Sequence, residues 1–228
     1  MTSYHVVTID GPAGAGKSTL ACALASRLGY VYLDTGAIYR ALALACQRAS
    51  VPWCSEAQVH QVAIDLVSRN RIRFLKQQGD QRLYLDDEDV SDAIRTPEVS
   101  SGASTVSAHP DVRTALLSLQ REVANQSNVV VEGRDTGTVV FPKAEVKFFL
   151  TASLEQRAKR RFEELTAKGV VVNYDDTLIA MRERDERDEK RAAAPLRRAD
   201  DAIELDTTPM TIEQVLGFMI EHVRKRIL

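Results

Sequence analysis

Cysteine is scarce in this sequence of 228 residues, which contains three. They are Cys22, Cys46 and Cys54, and no two of them form a Cys-x-x-Cys pair. An odd number of cysteines without that spacing argues against a disulfide framework and against a zinc site. Cys22 and Cys46 lie among alanine and leucine, so we predict that both are small buried residues. The pattern favours a reducing compartment, and we expect the protein to be cytoplasmic.

Long hydrophobic runs are also missing. No segment approaches the roughly 20 apolar residues that a membrane-spanning helix needs. The amino terminus lacks a basic segment followed by a long apolar one, so we expect no signal peptide. The formal net charge of −2 provides no global positive field for nucleic acid or an anionic membrane. We therefore expect no nucleic-acid or membrane partner, and we predict a monomer because no feature indicates an obligate protein partner.

Apolar residues recur with alternating strand and helix periods along the chain. The first part predicts a strand at 4–10, a helix at 17–28, a strand at 31–34 and a helix at 37–50. This alternation is typical of a parallel α/β sheet. The remaining predicted elements are helices at 56–68, 110–125, 153–165, 177–194 and 212–227 and strands at 128–133, 146–150 and 202–206. Thr211 and Gln214 have the spacing of a capping box at the start of the last helix.

The composition changes in the middle of the chain. Residues 71–75 and 82–86 are predicted strands, and the segment Lys-Gln-Gln-Gly-Asp between them is a plausible hairpin connection. We interpret residues 65–104 as a small α+β insert rather than a further strand-and-helix repeat.

A glycine-rich segment between the first strand and the first helix carries the most specific motif. Residues 11–18 read Gly-Pro-Ala-Gly-Ala-Gly-Lys-Ser and match the pattern Gly-x-x-x-x-Gly-Lys-Ser/Thr. In such a loop, backbone N–H groups and a helix amino terminus surround phosphate oxygens, the lysine reaches the β- and γ-phosphates, and the hydroxyl ligates Mg²⁺. The alternative is a tight turn without a ligand. The candidate ATP-binding residues here are Gly11, Pro12, Ala13, Gly14, Ala15, Gly16, Lys17, Ser18 and Thr19, with Ser18 as the metal ligand.

The phosphate loop indicates which molecule donates a phosphoryl group, but it does not indicate which molecule accepts it. Residues 34–40 read Asp-Thr-Gly-Ala-Ile-Tyr-Arg, and a hydroxyl and a guanidinium at that spacing are able to hold a second anion. A GTPase would need a base-reading signature such as Asn-Lys-x-Asp, which is absent. An ATP-driven machine normally has a longer chain with partner-facing domains. A small kinase fits these features best.

Several further motifs resemble those of the bacterial cytidylate kinases, a family of P-loop nucleoside monophosphate kinases. The resemblance covers nearly the whole chain, and its ordered set of motifs is more specific than the phosphate loop alone. The motifs are Ile-Asp-Gly-Pro at 9–12, Asp-Thr-Gly-Ala-Ile-Tyr-Arg at 34–40, Asp-Ala-Ile-Arg-Thr-Pro-Glu-Val at 92–99, Gly-Arg-Asp-Thr-Gly-Thr-Val-Val-Phe-Pro at 133–142 and Arg-Asp-Glu-Arg-Asp at 184–188.

The resemblance implies a fold and a reaction. The expected fold is α/β, with a five-stranded parallel sheet flanked by helices, a small α+β insert and a helical lid. The expected domains are a P-loop core at 1–64, 105–152 and 192–228, an insert that binds the nucleoside monophosphate at 65–104, and a lid at 153–191. The implied reaction uses MgATP to convert CMP or dCMP to CDP or dCDP by in-line phosphoryl transfer.

The family positions also imply roles for individual residues. The catalytic set is Lys17, Arg134, Arg184 and Arg191, because arginine forks bind and neutralise phosphate. Arg157 and Arg161 are weaker candidates for the phosphates of ATP. The implied CMP-binding residues are Thr35, Arg40, Ser104, Arg113, Arg134, Asp135, Arg184, Asp188 and Arg191. Among these, Asp135 would accept from cytosine N4, Arg113 would donate to N3 or O2 with help from Ser104, and Asp188 would orient an arginine or the ribose.

Three positions depart from the pattern of many relatives. Thr35 replaces a serine and keeps the hydroxyl, Ser18 replaces a glycine found in some relatives, and Glu132 replaces an aspartate beside Gly133. The alternatives at this point are a kinase for another small acceptor, such as UMP, AMP or shikimate, and a non-catalytic ATP-binding regulator. The regulator would be expected to show basic patches interleaved with aromatic residues, which this sequence does not have.

Overall fold

Strands and helices alternate along most of the chain in the computed structural model, which describes residues 4–77 and 80–227. The strands are β1 Val6–Asp10, β2 Val31–Asp34, β3 Ile72–Gln77, β4 Asp80–Leu85, β5 Glu88–Asp89, β6 Val129–Gly133, β7 Val146–Thr151 and β8 Ile203–Asp206. The helices are α1 Lys17–Leu28, α2 Thr35–Arg48, α3 Glu56–Ser68, α4 Pro97–Val106, α5 Pro110–Glu122, α6 Leu154–Ala167, α7 Tyr174–Lys190 and α8 Ile212–Ile227. Short 3₁₀ turns lie at Ala93–Arg95 and Val123–Asn125, and a π-helical turn lies at Thr136–Val140.

The larger sheet has five strands in the order β2-β6-β1-β7-β8. β1 pairs in parallel with β6 on one side and with β7 on the other. All residues of β6 are buried, as expected for a parallel strand covered by helices on both faces. The parallel α/β fold predicted from the sequence is therefore confirmed.

The strand order places a ligand crevice at the end of β1. The chain moves from β1 to β2 on one side, and it later crosses from β6 to β7 on the other side of β1. In open α/β sheets, ligands bind outside the carboxyl ends of the strands where the order reverses in this way. The glycine-rich loop follows β1 directly and occupies this position.

Several helices begin at capping side chains that the sequence analysis did not use. Asp34 accepts from the Ala37 N–H at 3.0 Å, so α2 starts two residues earlier than predicted. Asn173 caps α7, which therefore starts at Tyr174 rather than at 177. The same helix ends at Lys190 rather than at the predicted 194. The predicted capping box of α8 is confirmed, with Gln214 N–H donating to Thr211 Oγ1 and Thr211 N–H donating to Gln214 Oε1.

The chain divides into two compact units. Asp34–Val123 forms one unit, and the described residues on either side of it form the other. The first unit contains the antiparallel sheet β3-β4-β5 together with α2–α5. Its one tryptophan, Trp53, packs against Gly102 and donates to the Ala43 carbonyl at 2.9 Å.

Some predictions for this unit were incomplete. The hairpin strands run from Ile72 to Gln77 and from Asp80 to Leu85, so each is two residues longer than predicted towards the connection and one residue shorter at its other end. Gln78 and Gly79 lie outside the described residues. Helix α4 was not predicted because its serines and glycine weaken the apolar period. Its start is nevertheless marked by Thr96, which caps the helix before a proline.

The cysteine prediction was half right. Cys46 is buried, but Cys22 is exposed on the face of α1 that turns away from the buried residues Leu20, Ala21 and Leu24. None of the helices in the described ranges combines the length and the apolar content that a membrane crossing requires.

Candidate active site

The glycine-rich loop has a backbone that few other residues would allow. Gly11, Gly14 and Gly16 have positive φ angles of 147°, 75° and 89°. A Cβ atom on Gly11 would lie 2.1 Å from the Leu150 carbonyl oxygen, so the loop passes too close to β7 for a side chain. Gly16 stands immediately before α1, and the loop therefore delivers the first N–H groups of that helix to any anion bound there.

Lys17 is the buried cation of this loop. Its ammonium donates to the Pro12 carbonyl at 2.7 Å, and the residue is 5% exposed. Burial lowers the pKa of Lys17 to about 7, and the charge of Arg134 acts in the same direction while Glu132 opposes it. An anion in the loop would supply the negative charge that the buried ammonium lacks.

Arg157 on α6 holds the loop through hydrogen bonds. Its guanidinium donates to the Ala13 carbonyl at 3.0 Å, to the Ala152 carbonyl at 2.9 Å and to Asp185 at 2.5 Å. Asp185, on α7, was not among the predicted site residues. Arg161, one turn further along α6, pairs with Glu164 at 2.9 Å on a more exposed face.

Arg134 lies directly after β6 and contacts α7. Its Nε atom donates to Asp188 at 2.9 Å, and its Nη1 atom donates to the Gly133 carbonyl at 3.2 Å. Burial would lower the pKa of Arg134, but the charge of Asp188 and its hydrogen bond outweigh burial and raise it. Arg134 therefore stays charged in spite of its burial.

Asp188 is the acidic centre of a group of arginines. Burial would raise its pKa, but the charges of Arg134, Arg184 and Arg191 outweigh burial and lower it. Arg184 also acts on Lys17, whose pKa it helps to lower. The structure thus brings Lys17 and the three predicted catalytic arginines into one electrostatic group.

Asp135 follows Arg134 and is also buried. Arg191 donates to its Oδ1 atom at 3.2 Å and to the Ala194 carbonyl at 2.7 Å. The carboxylate proposed to read cytosine therefore contacts one of the proposed phosphate-binding arginines.

Glu132 stands at the end of β6, two residues before Arg134. It accepts a hydrogen bond from the Tyr32 hydroxyl on β2, and its charge favours the protonated form of Lys17. The Glu132 side chain is therefore held by a hydrogen bond from the neighbouring strand, and its negative charge acts on Lys17 of the phosphate loop.

The remaining predicted residues lie in the 34–123 unit. Thr35 is the buried first residue of α2, and Arg40, one turn later, pairs with the capping Asp34 at 2.5 Å. The Arg40 Nη1 atom would lie 3.1 Å from a Cβ atom on Gly36, so the guanidinium lies along the first turn of the helix.

Arg113 and Ser104 form a second group in that unit, and both are buried. The Arg113 guanidinium donates to the Ser107 carbonyl at 3.1 Å and lies 5.2 Å from the centre of the Tyr39 ring. Ser107 in turn donates to the Ser104 carbonyl at 3.1 Å. The two predicted base-reading residues of this unit are thus joined through Ser107.

The donor set fits a magnesium-bound triphosphate. Lys17 and the nearby Arg134 and Arg184 supply positive charge, and the helix amino terminus supplies backbone N–H groups, which suits a polyanion. Ser18 is exposed at the first turn of α1, where its hydroxyl is accessible to a hard cation held by phosphate oxygens.

Comparison with known proteins decides the family. The cytidylate kinase family matches residues 7–225 of the chain. The chain belongs to the cytidylate kinase family. It is 50% identical over 221 residues to the cytidylate kinase of Geobacter sulfurreducens, covering 97% of this chain and 93% of the relative. It is also 50% identical over 226 residues to that of Syntrophotalea carbinolica, covering 99% and 94%.

A solved structure supports the fold alone. A structure from Eubacterium ventriosum, described as an uncharacterized protein, matches 97% of this chain and 99% of its own with a TM-score of 0.52 and 11% identity. Membership of the cytidylate kinase family makes this chain a kinase, a transferase that acts on a nucleotide. It also supports CMP phosphorylation, so the alternative of a non-catalytic regulator loses its basis.

Two carboxylates near the loop, Asp185 and the buried Asp10, were missed as site residues. Asp185 pairs with Arg157 on a neighbouring helix, and Asp10 at the end of β1 accepts hydrogen bonds from Thr136 and Gly137. The position of Asp10 at the carboxyl end of a strand was a usable signal, whereas the partner of Asp185 is 28 residues away and has no local signature.

Proposed function

We propose that this cytidylate kinase transfers the γ-phosphoryl group of MgATP in line to CMP or dCMP, forming ADP and CDP or dCDP. The observation that carries the proposal is the group formed by Lys17, Arg134, Arg184 and Arg191 around Asp188 and the glycine loop. Phosphoryl transfer needs little covalent chemistry from the protein, which mainly aligns two nucleotides and offsets their charge. A buried group of cations at the mouth of a phosphate loop suits that task.

The donor half of the site is the loop with α1. Backbone N–H groups of residues 11–19 would hold the phosphates of ATP, and Lys17 would contact the β- and γ-phosphates. Ser18 would ligate Mg²⁺, which would offset the negative charge of the phosphates when bound. Arg157 already holds the loop through Ala13 and would keep its shape, and Arg161 remains a weaker candidate for phosphate contact.

The acceptor half would consist mainly of arginines. Arg134, Arg184 and Arg191 would contact the CMP phosphate, together with Arg40 and the Thr35 hydroxyl. The attacking group is a phosphate oxygen that is already ionised at neutral pH, so no side-chain base is required. Several arginines are then useful because they reduce the repulsion between two anionic nucleotides.

Cytosine recognition would depend on Asp135, Arg113 and Ser104. A carboxylate accepts from the exocyclic N4 amine, and an arginine donates to N3 or O2 of the same edge. Uracil presents an acceptor where cytosine presents N4, and that acceptor would repel Asp135. Asp188 would orient the arginines or contact the ribose.

The proposal also assigns two segments of the chain to the two substrates. We propose residues 65–104 as the insert that serves the acceptor and residues 153–191 as the lid over ATP. Helices α6 and α7, which carry Arg157, Arg184 and Asp188, support the second assignment. The cytoplasmic location and the monomeric state stay predictions.

An ADP-release assay with several acceptors tests the proposal. Purified protein is supplied with MgATP and with CMP, dCMP, UMP or AMP, and ADP formation is followed by a coupled assay. We expect CMP and dCMP to be the best acceptors. Preferred phosphorylation of UMP or AMP, or the absence of CMP-stimulated ADP release from protein that binds ATP, would contradict the proposal.

Replacing Asp135 with alanine is expected to reduce the preference for CMP over UMP. An unpaired buried polar group costs about 1–3 kcal/mol, so the ratio of kcat/KM values should fall about tenfold to a hundredfold. The KM for ATP should change far less than the KM for CMP. An equal loss for both nucleotides would contradict the assignment of Asp135 to the base.

Binding of ATP is expected to take up a proton at pH 8.5. Without nucleotide, the pKa of Lys17 is lowered to about 7, so its amine is largely neutral at that pH. The negative phosphates would raise this pKa and protonate the amine. Calorimetric titrations in two buffers of different ionisation enthalpy measure the uptake. Lys17→Met should abolish it, and equal uptake by wild type and variant would contradict this interpretation.

A further inference from the structure

Asp10 lies where the phosphate loop and the Arg134–Asp135 segment meet. It is the last residue of β1, its register partners are Gly133 on β6 and Phe149 on β7, and Gly11 follows it. The side chain is buried, with 4% of the residue exposed. No role proposed above uses this carboxylate.

Both oxygens of Asp10 hold the turn that follows Asp135. Oδ1 accepts from the Thr136 N–H at 2.9 Å and from the Thr136 hydroxyl at 2.8 Å, and Oδ2 accepts from the Gly137 N–H at 2.7 Å. These donors are the first two residues of the π-helical turn Thr136–Val140. The carboxylate therefore fixes the backbone one residue after the proposed base-reading side chain.

The turn approaches β1 closely. A Cβ atom on Gly137 would lie 2.9 Å from the Thr8 hydroxyl and 3.1 Å from the Lys147 side chain, so a side chain at residue 137 would force these neighbours to shift. Burial raises the pKa of Asp10, and the three hydrogen bonds oppose that rise. Packing alone does not explain a buried carboxylate that accepts three hydrogen bonds, because an apolar residue would fill the same space without the free-energy cost of desolvating a charge.

We propose that Asp10 is a positioning residue for the acceptor nucleotide, fixing the turn so that Arg134 and Asp135 keep the orientation that CMP requires. The inference rests on the proposed function of these two residues. Because Asp10 also precedes Gly11, it joins the strand that leads into the donor loop to the segment that serves the acceptor. Displacements of about 1 Å in a site that aligns two reactants are enough to lower rates strongly.

The rival explanation is that Asp10 only stabilises the fold. A purely stabilising bond would lower the melting temperature without separating the kinetic constants of the two substrates. A positioning role would raise the KM for CMP and leave the KM for ATP nearly unchanged, because the turn lies on the acceptor side.

Conservative variants of Thr136 test the inference without altering the buried carboxylate. Thr136→Val removes one donor at nearly constant volume, and we expect it to raise the KM for CMP about fivefold to tenfold with the KM for ATP within about twofold. Thr136→Ser keeps the hydroxyl and should resemble wild type. Asp10→Asn, which turns an amide towards the Gly137 N–H, should have a larger effect in the same direction.

Thr8→Val is the matched control. The Thr8 hydroxyl lies two residues before Asp10 on the same strand and is buried without a hydrogen-bond partner among the described residues. Its removal deletes the same chemical group without breaking a hydrogen bond, so the KM for CMP should change far less than in Thr136→Val.

Three outcomes separate the possibilities. A selective rise in the KM for CMP in Thr136→Val and Asp10→Asn supports the inference, and Thr136→Val alone carries the test if Asp10→Asn does not fold. If Arg134→Lys weakens CMP but Thr136→Val changes only the melting temperature, or changes both KM values equally, the inference is wrong and the proposed function stands. Wild-type protein without CMP-stimulated ADP release would overturn both.

Discussion

Replacing Lys17 with methionine is expected to lower kcat for CMP phosphorylation about 10²- to 10³-fold, the loss usually seen when one preorganised donor to a developing charge is removed. Methionine keeps the length and the apolar stem but removes the ammonium. The loop N–H groups would still surround the phosphates, so ATP binding should weaken less than turnover. Single-turnover and steady-state assays with CMP measure the two effects separately.

The same variant is expected to be more stable than wild type at neutral pH. The pKa of Lys17 is lowered from its ordinary value of 10.5 to about 7 in the folded protein, so the unfolded chain binds the extra proton. This proton lowers the free energy of unfolding of the wild type. The decrease is fully present at or below about pH 7 and disappears as the pH rises towards 10.5. The advantage of Lys17→Met in urea unfolding should decrease over the same interval.

Lys147 provides a matched control for this experiment. It is also 5% exposed, and its ammonium also donates to a proline carbonyl five residues earlier, that of Pro142 at 2.7 Å. Its second partner is Asp201 at 2.9 Å rather than a group of arginines. Lys147→Met should leave kcat per folded molecule within about threefold. Equal losses in the two variants would show that burial of any lysine in this unit, and not phosphate contact, explains the effect.

Replacing Arg134 with methionine is expected to lower kcat/KM for CMP about 10²- to 10³-fold, because an arginine that offsets phosphoryl-transfer charge contributes at least that much. The Kd for ATP, measured without acceptor, should change far less. Arg134→Lys should recover only part of the loss, since an ammonium lacks the planar fork that binds phosphate in two places.

The buried ion pair requires a second variant. Arg134→Met removes the hydrogen-bond partner that Asp188 contacts at 2.9 Å, and a buried carboxylate that loses part of its compensating charge is itself destabilising. The double variant Arg134→Met/Asp188→Asn removes that charge. We expect it to recover melting temperature and not activity. Recovery of CMP phosphorylation in the double variant would contradict a direct role for Arg134.

The elements that position the donor loop were predictable because their signals are local. The strand at β1, the glycine motif and the apolar period of α1 all lie within 28 residues, and each is determined by short-range sterics and side-chain spacing. Helix α4 was missed because serine and glycine obscure its period. The starts of α2 and α7 were misplaced because Asp34 and Asn173 were not recognised as caps.

The sequence nominated candidate site residues, but it did not predict the contacts between them. Family motifs nominated Arg134, Arg157 and Asp188, but no local pattern states that Arg157 holds the Ala13 carbonyl, which is 144 residues away in the chain. The contacts of Asp10 were unpredictable for the same reason, since its donors lie at 136 and 137. Such pairings depend on strand order and register, which the sequence pattern alone does not determine.

The indole of Trp53 has a practical consequence for studying the enzyme in solution. It is the sole tryptophan of the chain, and its partners Ala43 and Gly102 belong to the 34–123 unit. Selective excitation of tryptophan therefore yields an emission signal from that unit alone, without labelling. Far-ultraviolet circular dichroism averages over both units, so the two optical signals together distinguish events in one half of the molecule from events in the whole.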